Sequence, residues 1–414
     1  MPEVSRRAAL GLIGAGGATV ALTSSGVLSP GKAAAGPARF REVVPFHGAH
    51  QAGITTATPR HLLFASFDVR SQDRADLRDL LREWTEAART LTAGADIGAG
   101  AQSLPLAPPD DTVEAVGLDA ANLTMTFGVG PSLFAAHRFG WEKQRPAALV
   151  DLPAFAGDEL DATRSDGDLC VQACADDAQV AVHAIRNLAR LGRGVVEVRW
   201  TQSGFGRASS TSKDQETPRN LFGFKDGTMN ITSDDAAALD RWVWVKDGDG
   251  PAWMTGGSYL VARRVRMLTE VWDRSTLQDQ ELTIGRVKRS GAPLTGGEER
   301  TALDLAKKGE DGEPVIPMTA HVRLAAPASN GGVKLLRRGY SFTDGSDGVG
   351  HLDAGLFFLG YQRDTREQFV RVNARLSESD ALLEYTRHTG SAHFAVVPGV
   401  LDERDYWARA LLEA

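Results

Sequence analysis

The stretch HLLFASFDV at residues 61–69, followed by SQDRADLRDLLREWTEAARTL at residues 71–91, decides the fold class. The first segment is apolar, contains aromatic and branched residues, and has the length of a strand. The second segment is predicted to be a helix capped by Ser71. Its apolar residues lie at helical spacing, namely Leu77, Leu80, Leu81 and Trp84. A strand followed directly by an amphipathic helix predicts a layered domain of helices and strands.

The same alternation continues along the chain. Further strands are predicted at residues 123–129, 168–174 and 194–200, with a helix at 178–191. The second half repeats the rhythm, with predicted strands at 257–267, 334–340 and 354–361, a helical stretch opening at 269–273 and a helix at 367–383. This pattern predicts an α+β protein of the ferredoxin-like kind, with antiparallel sheets covered by helices.

The N-terminus has the features of an export signal. Arg6 and Arg7 precede a mildly apolar run at residues 8–22, and a small-residue cleavage motif follows at 33–35. The run is too short and too rich in glycine to span a bilayer. Residues 1–35 are therefore predicted to be a twin-arginine signal peptide read by the twin-arginine translocon. The mature protein is expected to be periplasmic, extracellular or associated with the cell envelope.

The composition excludes several classes of protein and of metal site. The 414 residues are 42% apolar and 24% charged, and the net charge is −7. Such a chain is globular, and its acidity argues against a nucleic-acid partner. Its two cysteines exclude a disulfide scaffold and a four-cysteine metal site. A linker predicted at residues 204–219 separates an N-terminal domain, 36–215, from a C-terminal domain, 216–414. The oligomeric state stays open, a homo-oligomer included.

Three motifs in the second half carry a family resemblance. They are GFKDG at residues 223–227, AHVRLA at 320–325 and LLRRGYSF at 335–342. The first alone would fit an ordinary turn. Together, and with family-like stretches at 45–69, 283–296 and 384–399, they resemble the dye-decolourising peroxidases, haem enzymes of the dimeric α+β barrel superfamily. The resemblance implies two ferredoxin-like domains, with the haem mainly in the C-terminal one.

The resemblance makes His321 the proximal ligand of the haem iron. It also places Glu384 where the family has a carboxylate that accepts a hydrogen bond from the other ring nitrogen. The alternatives are a core histidine in a strand and a plain surface glutamate. The chain has no C-x-x-C-H motif, because Cys170 and Cys174 lack both the spacing and the histidine. One non-covalent haem b per chain is therefore expected.

On the distal side, the resemblance assigns proton transfer to Asp226, and a carboxylate in that role favours an acidic working range. Arg337 is expected to stabilise the negative charge that develops on the leaving oxygen. If the segment is a strand, Arg338 faces the other way and is structural.

Four further residues are candidates for the cofactor site. Asn230 is expected to position peroxide or water, with a turn role equally open. Leu356 and Phe358 are expected to line the distal pocket and keep water out. Arg286 could pair with a haem propionate as a bidentate donor, and a surface arginine is the equal alternative.

The predicted function is that of a haem peroxidase. Hydrogen peroxide would oxidise the enzyme to a ferryl intermediate, and dyes, phenols or other bulky reductants would return it to its resting state. One branch of the family releases iron from haem, so a deferrochelatase in an iron-uptake system is the nearest alternative. A non-catalytic protein for haem binding or delivery is the third.

Overall fold

Nine antiparallel strands within the described residues form one sheet that closes on itself. They are β1 (His61–Val69), β2 (Thr124–Val129), β3 (Leu169–Ala175), β4 (Val196–Phe205), β5 (Ser258–Met267), β6 (Leu336–Arg337), β7 (Tyr340–Ser346), β8 (Leu352–Gln362) and β9 (Thr386–Val396). The order is β5-β9-β2-β3-β1-β4-β7-β8-β6, and β5 also pairs with β8. That last pairing closes the barrel and leaves β6 at an edge.

The computed structural model describes residues 42–98, 106–207, 209, 211 and 215–413. The predicted signal peptide lies outside these residues, as does part of the predicted linker. The described residues belong to one compact unit. In the described part of the chain, no helix combines the length and apolarity needed to cross a bilayer.

Eight α-helices accompany the strands in the described residues. They are α1 (Arg74–Thr92), α2 (Ala178–Leu191), α3 (Ala236–Trp242), α4 (Thr269–Trp272), α5 (Leu277–Ile284), α6 (His321–Ala325), α7 (Arg371–Ser379) and α8 (Arg409–Leu412). The predicted bounds of α2 are confirmed. The cap of α1 is Asp73 rather than Ser71, because the Asp73 carboxylate accepts from the backbone N–H of Ala75.

Each half of the chain has a ferredoxin-like order. In the first half, β1, α1, β2, β3, α2 and β4 follow one another, and the strands lie side by side as β2-β3-β1-β4. In the second half, β7-β8-β5-β9 reproduces that order. The halves meet where β4 pairs with β7 and β2 with β9. The predicted α+β class and its antiparallel sheets are therefore confirmed.

The structure corrects three predicted elements. The strand predicted at 334–340 is broken, because Arg338 and Gly339 separate β6 from β7. His321 begins the short helix α6 rather than lying in a strand. The helix predicted at 367–383 is a π-helical turn (Arg366–Val370), then α7, then a 3₁₀ turn (Ala381–Tyr385). The last two corrections shape the candidate site.

Two apolar cores hold the barrel and its helices. One lies between the first-half sheet and the helices α1 and α2, with Trp84 and Phe67 fully buried at its centre. The other fills the barrel interior with side chains that include Phe64, Tyr340 and Phe394. Because close-packed side chains cover both faces of the sheet, the sheet holds the residues at its β6 edge in fixed positions.

Candidate active site

His321 is held by a carboxylate other than the predicted one. Its Nδ1 lies 2.6 Å from Oδ2 of Asp380, whose side chain is 4% exposed. Glu384 is exposed, so the predicted role of Glu384 is wrong. The other oxygen of Asp380 accepts from the backbone N–H of Leu382 at 2.9 Å and caps the Ala381–Tyr385 turn. Asp380 thus fixes the imidazole with a carboxylate that is itself held in place.

The short helix α6 presents His321 at its first position. Arg323, two residues later, donates from Nε to the carbonyls of Ile316 and Pro317 at 2.9 and 3.1 Å. Its Nη2 reaches the Leu305 carbonyl at 2.8 Å. These bonds tie the preceding loop to α6. The imidazole of His321 keeps 33% of its surface exposed, and no described residue hydrogen-bonds its Nε2.

Asp226 and Arg337, the two predicted distal residues, form an ion pair. Nη1 of Arg337 donates to Oδ1 of Asp226 at 2.6 Å. Nδ2 of Asn220 donates to the other carboxylate oxygen at 3.2 Å. The turn carrying Asp226 needs its glycines, because Gly223 and Gly227 have φ angles of 81° and 95°. A carboxylate and a guanidinium are thereby held side by side, 13% and 32% exposed.

Asn230 positions the backbone of Arg337. Its Nδ2 donates to the Arg337 carbonyl, and its Oδ1 accepts from the Arg337 N–H, both at 2.8 Å. Because β6 is an edge strand, these two backbone groups have no neighbouring strand to pair with. The side-chain amide of Asn230 makes the two hydrogen bonds that a neighbouring strand would otherwise make. Its expected role in positioning peroxide or water stays a prediction. The loop that carries Asp226 thus also fixes the backbone of Arg337.

One face of the sheet carries Arg337 together with Leu356 and Phe358. Arg337 pairs with Gly360 across β6 and β8. Since alternate residues of a strand share a face, Leu356 and Phe358 lie on the Arg337 side. Both are half-buried. A Cβ at Gly360 would come within 2.8 Å of the Phe358 ring, so a larger residue there would displace that ring.

The two polar pairs lie close enough to influence each other. Burial lowers the pKa of His321, but the Asp380 carboxylate outweighs it and the net pKa of the imidazole is raised. Asp226 adds to this rise and Arg337 opposes it. The charges of both pairs therefore act on His321. The site has an imidazole supported by a carboxylate and, within its electrostatic range, an acid and a cation.

Arg286 lies near Arg337, and its propionate role stays a prediction. Its Nη1 donates to the carbonyls of Gly291 and Glu299 at 2.7 and 2.9 Å. The pKa of Arg286 is lowered overall, because burial and the nearby Arg337 cation disfavour its charge more than the Glu299 carboxylate favours it. The side chain of Glu299 binds Lys225 and Thr228, which flank Asp226. Arg286 is buried and is therefore not a surface arginine.

Arg338 turns away from Arg337, as the alternation of a strand predicts. It is fully buried and donates to the carbonyls of Thr56 and Ala57 and to the Thr211 hydroxyl. Its neighbour Gly339 donates its N–H to Oγ of Ser209 at 3.0 Å. These bonds hold the segment that carries Arg337 and Arg338 against the first half of the chain.

Cys170 and Cys174 are free, buried thiols in β3.

The residues present fit a haem iron. A ligand imidazole needs one ring nitrogen oriented by a second group and the other free to bind the metal. In His321, Nδ1 bonds to Asp380, and no described residue hydrogen-bonds Nε2. The half-buried Leu356 and Phe358 offer apolar surface beside Arg337. Asp380 is the residue that sequence reasoning missed. Its signal was an aspartate directly before a helical turn, which also marks an ordinary cap.

Comparisons with known proteins agree with this geometry. Residues 51–206 match the family model Dyp-type peroxidase, N-terminal, and residues 217–401 match Dyp-type peroxidase, C-terminal. A curated relative, the deferrochelatase of Escherichia coli K12, is 39% identical over 420 residues, covering 99% of this chain and 97% of the relative. That of Yersinia pseudotuberculosis is 40% identical over 374 residues, covering 89% and 85%.

Solved structures give the same assignment. A DyP-type peroxidase from Streptomyces coelicolor is 42% identical with a TM-score of 0.83, covering 91% of this chain and 98% of its own. Ferric DtpA from Streptomyces lividans is also 42% identical with a TM-score of 0.83, covering 92% and 100%. The two family models together span most of the chain, and the relatives match it over nearly its whole length. The chain belongs to the Dyp-type peroxidase family.

Proposed function

We propose that this protein is a haem b peroxidase that uses hydrogen peroxide to oxidise dyes, phenols or other bulky organic reductants. The observation that carries the proposal is the site itself: His321 supported by Asp380, with Asp226 and Arg337 held 2.6 Å apart within its electrostatic range. His321 would hold the haem iron through Nε2. Haem, when bound, would store the two oxidising equivalents that hydrogen peroxide supplies and pass them to the reductant one at a time, and no thioether link is available to attach it.

The residues of the chain divide the remaining work. Asp226 accepts a proton from one peroxide oxygen and returns it to the other, so that the leaving group departs as water. Arg337 stabilises the negative charge that develops as the O–O bond breaks. Asn220 and Asn230 hold these two residues in place. Leu356 and Phe358 exclude water. Arg286, which holds its own loop, would also pair with a haem propionate.

An absorption spectrum tests this function directly. The purified protein should show a histidine-ligated ferric haem band that changes on adding one equivalent of peroxide. Two equivalents of a one-electron reductant should then restore the original spectrum. His321→Ala should weaken haem retention and remove the five-coordinate histidine spectrum. An unchanged Soret band and iron content in that variant would contradict the ligand assignment.

A second candidate function, release of iron from haem, is favoured by the name deferrochelatase that the curated relatives carry. Incubating the haem-loaded protein with a ferrous chelator and a reductant separates the two. Chelated iron together with fluorescent iron-free porphyrin indicates a deferrochelatase. Peroxide-dependent oxidation of a dye with the haem intact indicates a peroxidase. A haem carrier would do neither, and would need neither Asp226 nor Arg337.

Export by the twin-arginine route is part of the proposal. It rests on Arg6 and Arg7, the short apolar run after them and the cleavage motif at 33–35. Because a receptor reads the arginine pair itself, replacing both by Lys should keep the protein in the cytoplasm although the charge is retained. The measurement is the amount of protein in exported and cytoplasmic fractions. Unchanged export of the double variant would refute the route.

A further inference from the structure

A loop at residues 286–299 lies against the turn that carries Asp226. The two segments are here called the bracing loop and the distal turn, the latter being residues 218–230. Arg286 closes the bracing loop on itself, because its guanidinium binds the carbonyls of Gly291 and Glu299. The acidic side chain of Glu299 is thereby presented to the distal turn.

The Glu299 carboxylate binds residues on both sides of Asp226. One of its oxygens pairs with Nζ of Lys225, and the other accepts from Oγ1 of Thr228 at 3.3 Å. Burial raises the pKa of Glu299, but hydrogen bonds from Lys225, Thr217 and Thr228 outweigh burial and hold the pKa below its usual range. The ionised carboxylate is thus the form that the distal turn binds.

The bracing loop and the distal turn also pack closely. Gly291 has a φ angle of 77°, and a Cβ on it would lie 3.0 Å from the side chain of Lys225 and 3.2 Å from that of Glu299. The side chains of Lys225 and Glu299 are only 18% and 19% exposed. Because the ion pair is enclosed in this way, it is less weakened by solvent than a surface pair.

The start of the distal turn is held by other contacts. Arg219 donates to the carbonyls of Lys288 and Arg289, both at 2.7 Å. The buried ring of Phe222 stacks on Trp272 at 4.4 Å between centroids, and the indole N–H of Trp272 donates to the Phe222 carbonyl at 3.1 Å. A change at Glu299 should therefore leave the start of the turn in place and act on the segment around Asp226.

We propose that Glu299 is the residue that positions Asp226 for proton transfer, by fastening the two residues that flank it, Lys225 and Thr228, to the bracing loop. The inference rests on the proposed function, in which Asp226 moves the proton. A proton acceptor must lie within hydrogen-bond reach of its donor. A displacement of about 1 Å at such a group can slow a reaction about 10²-fold. Glu299 is a positioning residue, since it acts through the distal turn.

The first test uses the full chain without haem. Glu299→Gln keeps the size of the side chain and removes its charge. Hydrogen exchange, followed by mass spectrometry, should become faster in the peptide that contains residues 218–230. Glu298→Gln removes the same charge from the neighbouring position, where the side chain is exposed, and should exchange like the parent.

The second test uses the haem-loaded protein. Hydrogen cyanide, like hydrogen peroxide, gives up a proton as it binds the iron, so its association rate reports the proton acceptor without turnover. Glu299→Gln should slow cyanide association and the reaction with peroxide by up to about 10²-fold. The ferric spectrum and haem retention, which depend on His321, should stay parental. Exchanging the charges in Lys225→Glu with Glu299→Lys should recover part of the loss.

Several outcomes would overturn the proposal. They are parental exchange and parental rates in Glu299→Gln, an equal loss in Glu298→Gln, and a lower melting temperature with parental rates, which would show a purely structural role. If Glu299→Gln does not fold, Thr228→Val removes one of the two contacts and should give the same pattern with a smaller amplitude. Failure of the haem-loaded parent to react with peroxide would instead overturn the proposed function, and hydrogen exchange would still decide whether Glu299 fastens the distal turn.

Discussion

At the residue scale, the site depends on which carboxylate supports His321. Asp380 holds Nδ1 at 2.6 Å, whereas Glu384 points to solvent. A carboxylate on the far nitrogen of a ligand histidine typically contributes about 10–100-fold in metal affinity. We expect Asp380→Asn to weaken haem retention by a factor in that range. Glu384→Gln, four residues away, is the matched control and should bind like the parent. The measurement is haem transfer to apomyoglobin, and the reverse order of effects would contradict the assignment.

The Asp226–Arg337 pair gives a second prediction. The lost cation in Arg337→Leu should slow the reaction with peroxide by about 10²–10³-fold, because no water can replace its charge. Asp226→Ala removes a proton carrier, an effect of about 10²–10⁴-fold that an ordered water can partly offset. We therefore expect Arg337→Leu to be at least as slow as Asp226→Ala at neutral pH.

Stopped-flow mixing with peroxide at neutral pH measures the rate of each variant against the parent. Arg337→Leu reacting at the parental rate would show that this arginine does not act on peroxide. Arg338→Lys, which alters the neighbouring arginine on the opposite face, should keep most of the parental rate.

At the element scale, the distal arginine depends on an edge strand of two residues. Asn230 satisfies both outward backbone groups of Arg337. Asn230→Asp keeps an oxygen that can accept from the Arg337 N–H, but its second oxygen cannot donate to the Arg337 carbonyl. A polar group left unsatisfied in a buried position costs about 1–3 kcal/mol of stability. We expect lower thermal stability and a slower peroxide reaction, with Asn230→Ala less affected than Asn230→Asp. Parental stability and rate in Asn230→Asp would argue against the clamp.

Sequence patterns could predict the elements that have a strong period. The bounds of α2 follow from its amphipathic spacing, and β1 follows from a mostly apolar segment of strand length. The helix α6 has five residues, too few to show a helical period, so the sequence alone does not distinguish it from a strand. Asp380 and Glu384 lie within one helical turn of each other. Which of them reaches His321 depends on the break between α7 and the turn that follows. The sequence marks this break only by Asp380 as a cap, a signal that ordinary helix starts share.

At the scale of the whole molecule, the two halves are joined by a buried ion pair. Asp158 precedes β3 in the first half, and Arg263 lies on β5 in the second; their side chains are 8% and 3% exposed. Removing one partner of such a pair leaves a buried charge and costs about 3–5 kcal/mol. Asp158→Asn should therefore lower the free energy of unfolding strongly at neutral pH. Asp151→Asn, which breaks an exposed pair with Arg145, should change it by about 0–1 kcal/mol.

The contribution of Asp158 should also depend on pH. Burial raises the pKa of its carboxyl, but hydrogen bonds from His388 and Arg263 outweigh burial and hold the pKa below its usual range. A carboxyl with a depressed folded-state pKa stabilises the fold above its ordinary value, and that stability is lost as the pH falls through the lower folded-state value. Chemical unfolding of the parent and Asp158→Asn from pH 7 down to about 3 should show the difference between them shrinking only below about pH 4, the ordinary aspartate value. A difference that stays constant over this acid range would mean that Asp158 stabilises the protein by packing rather than by its charge.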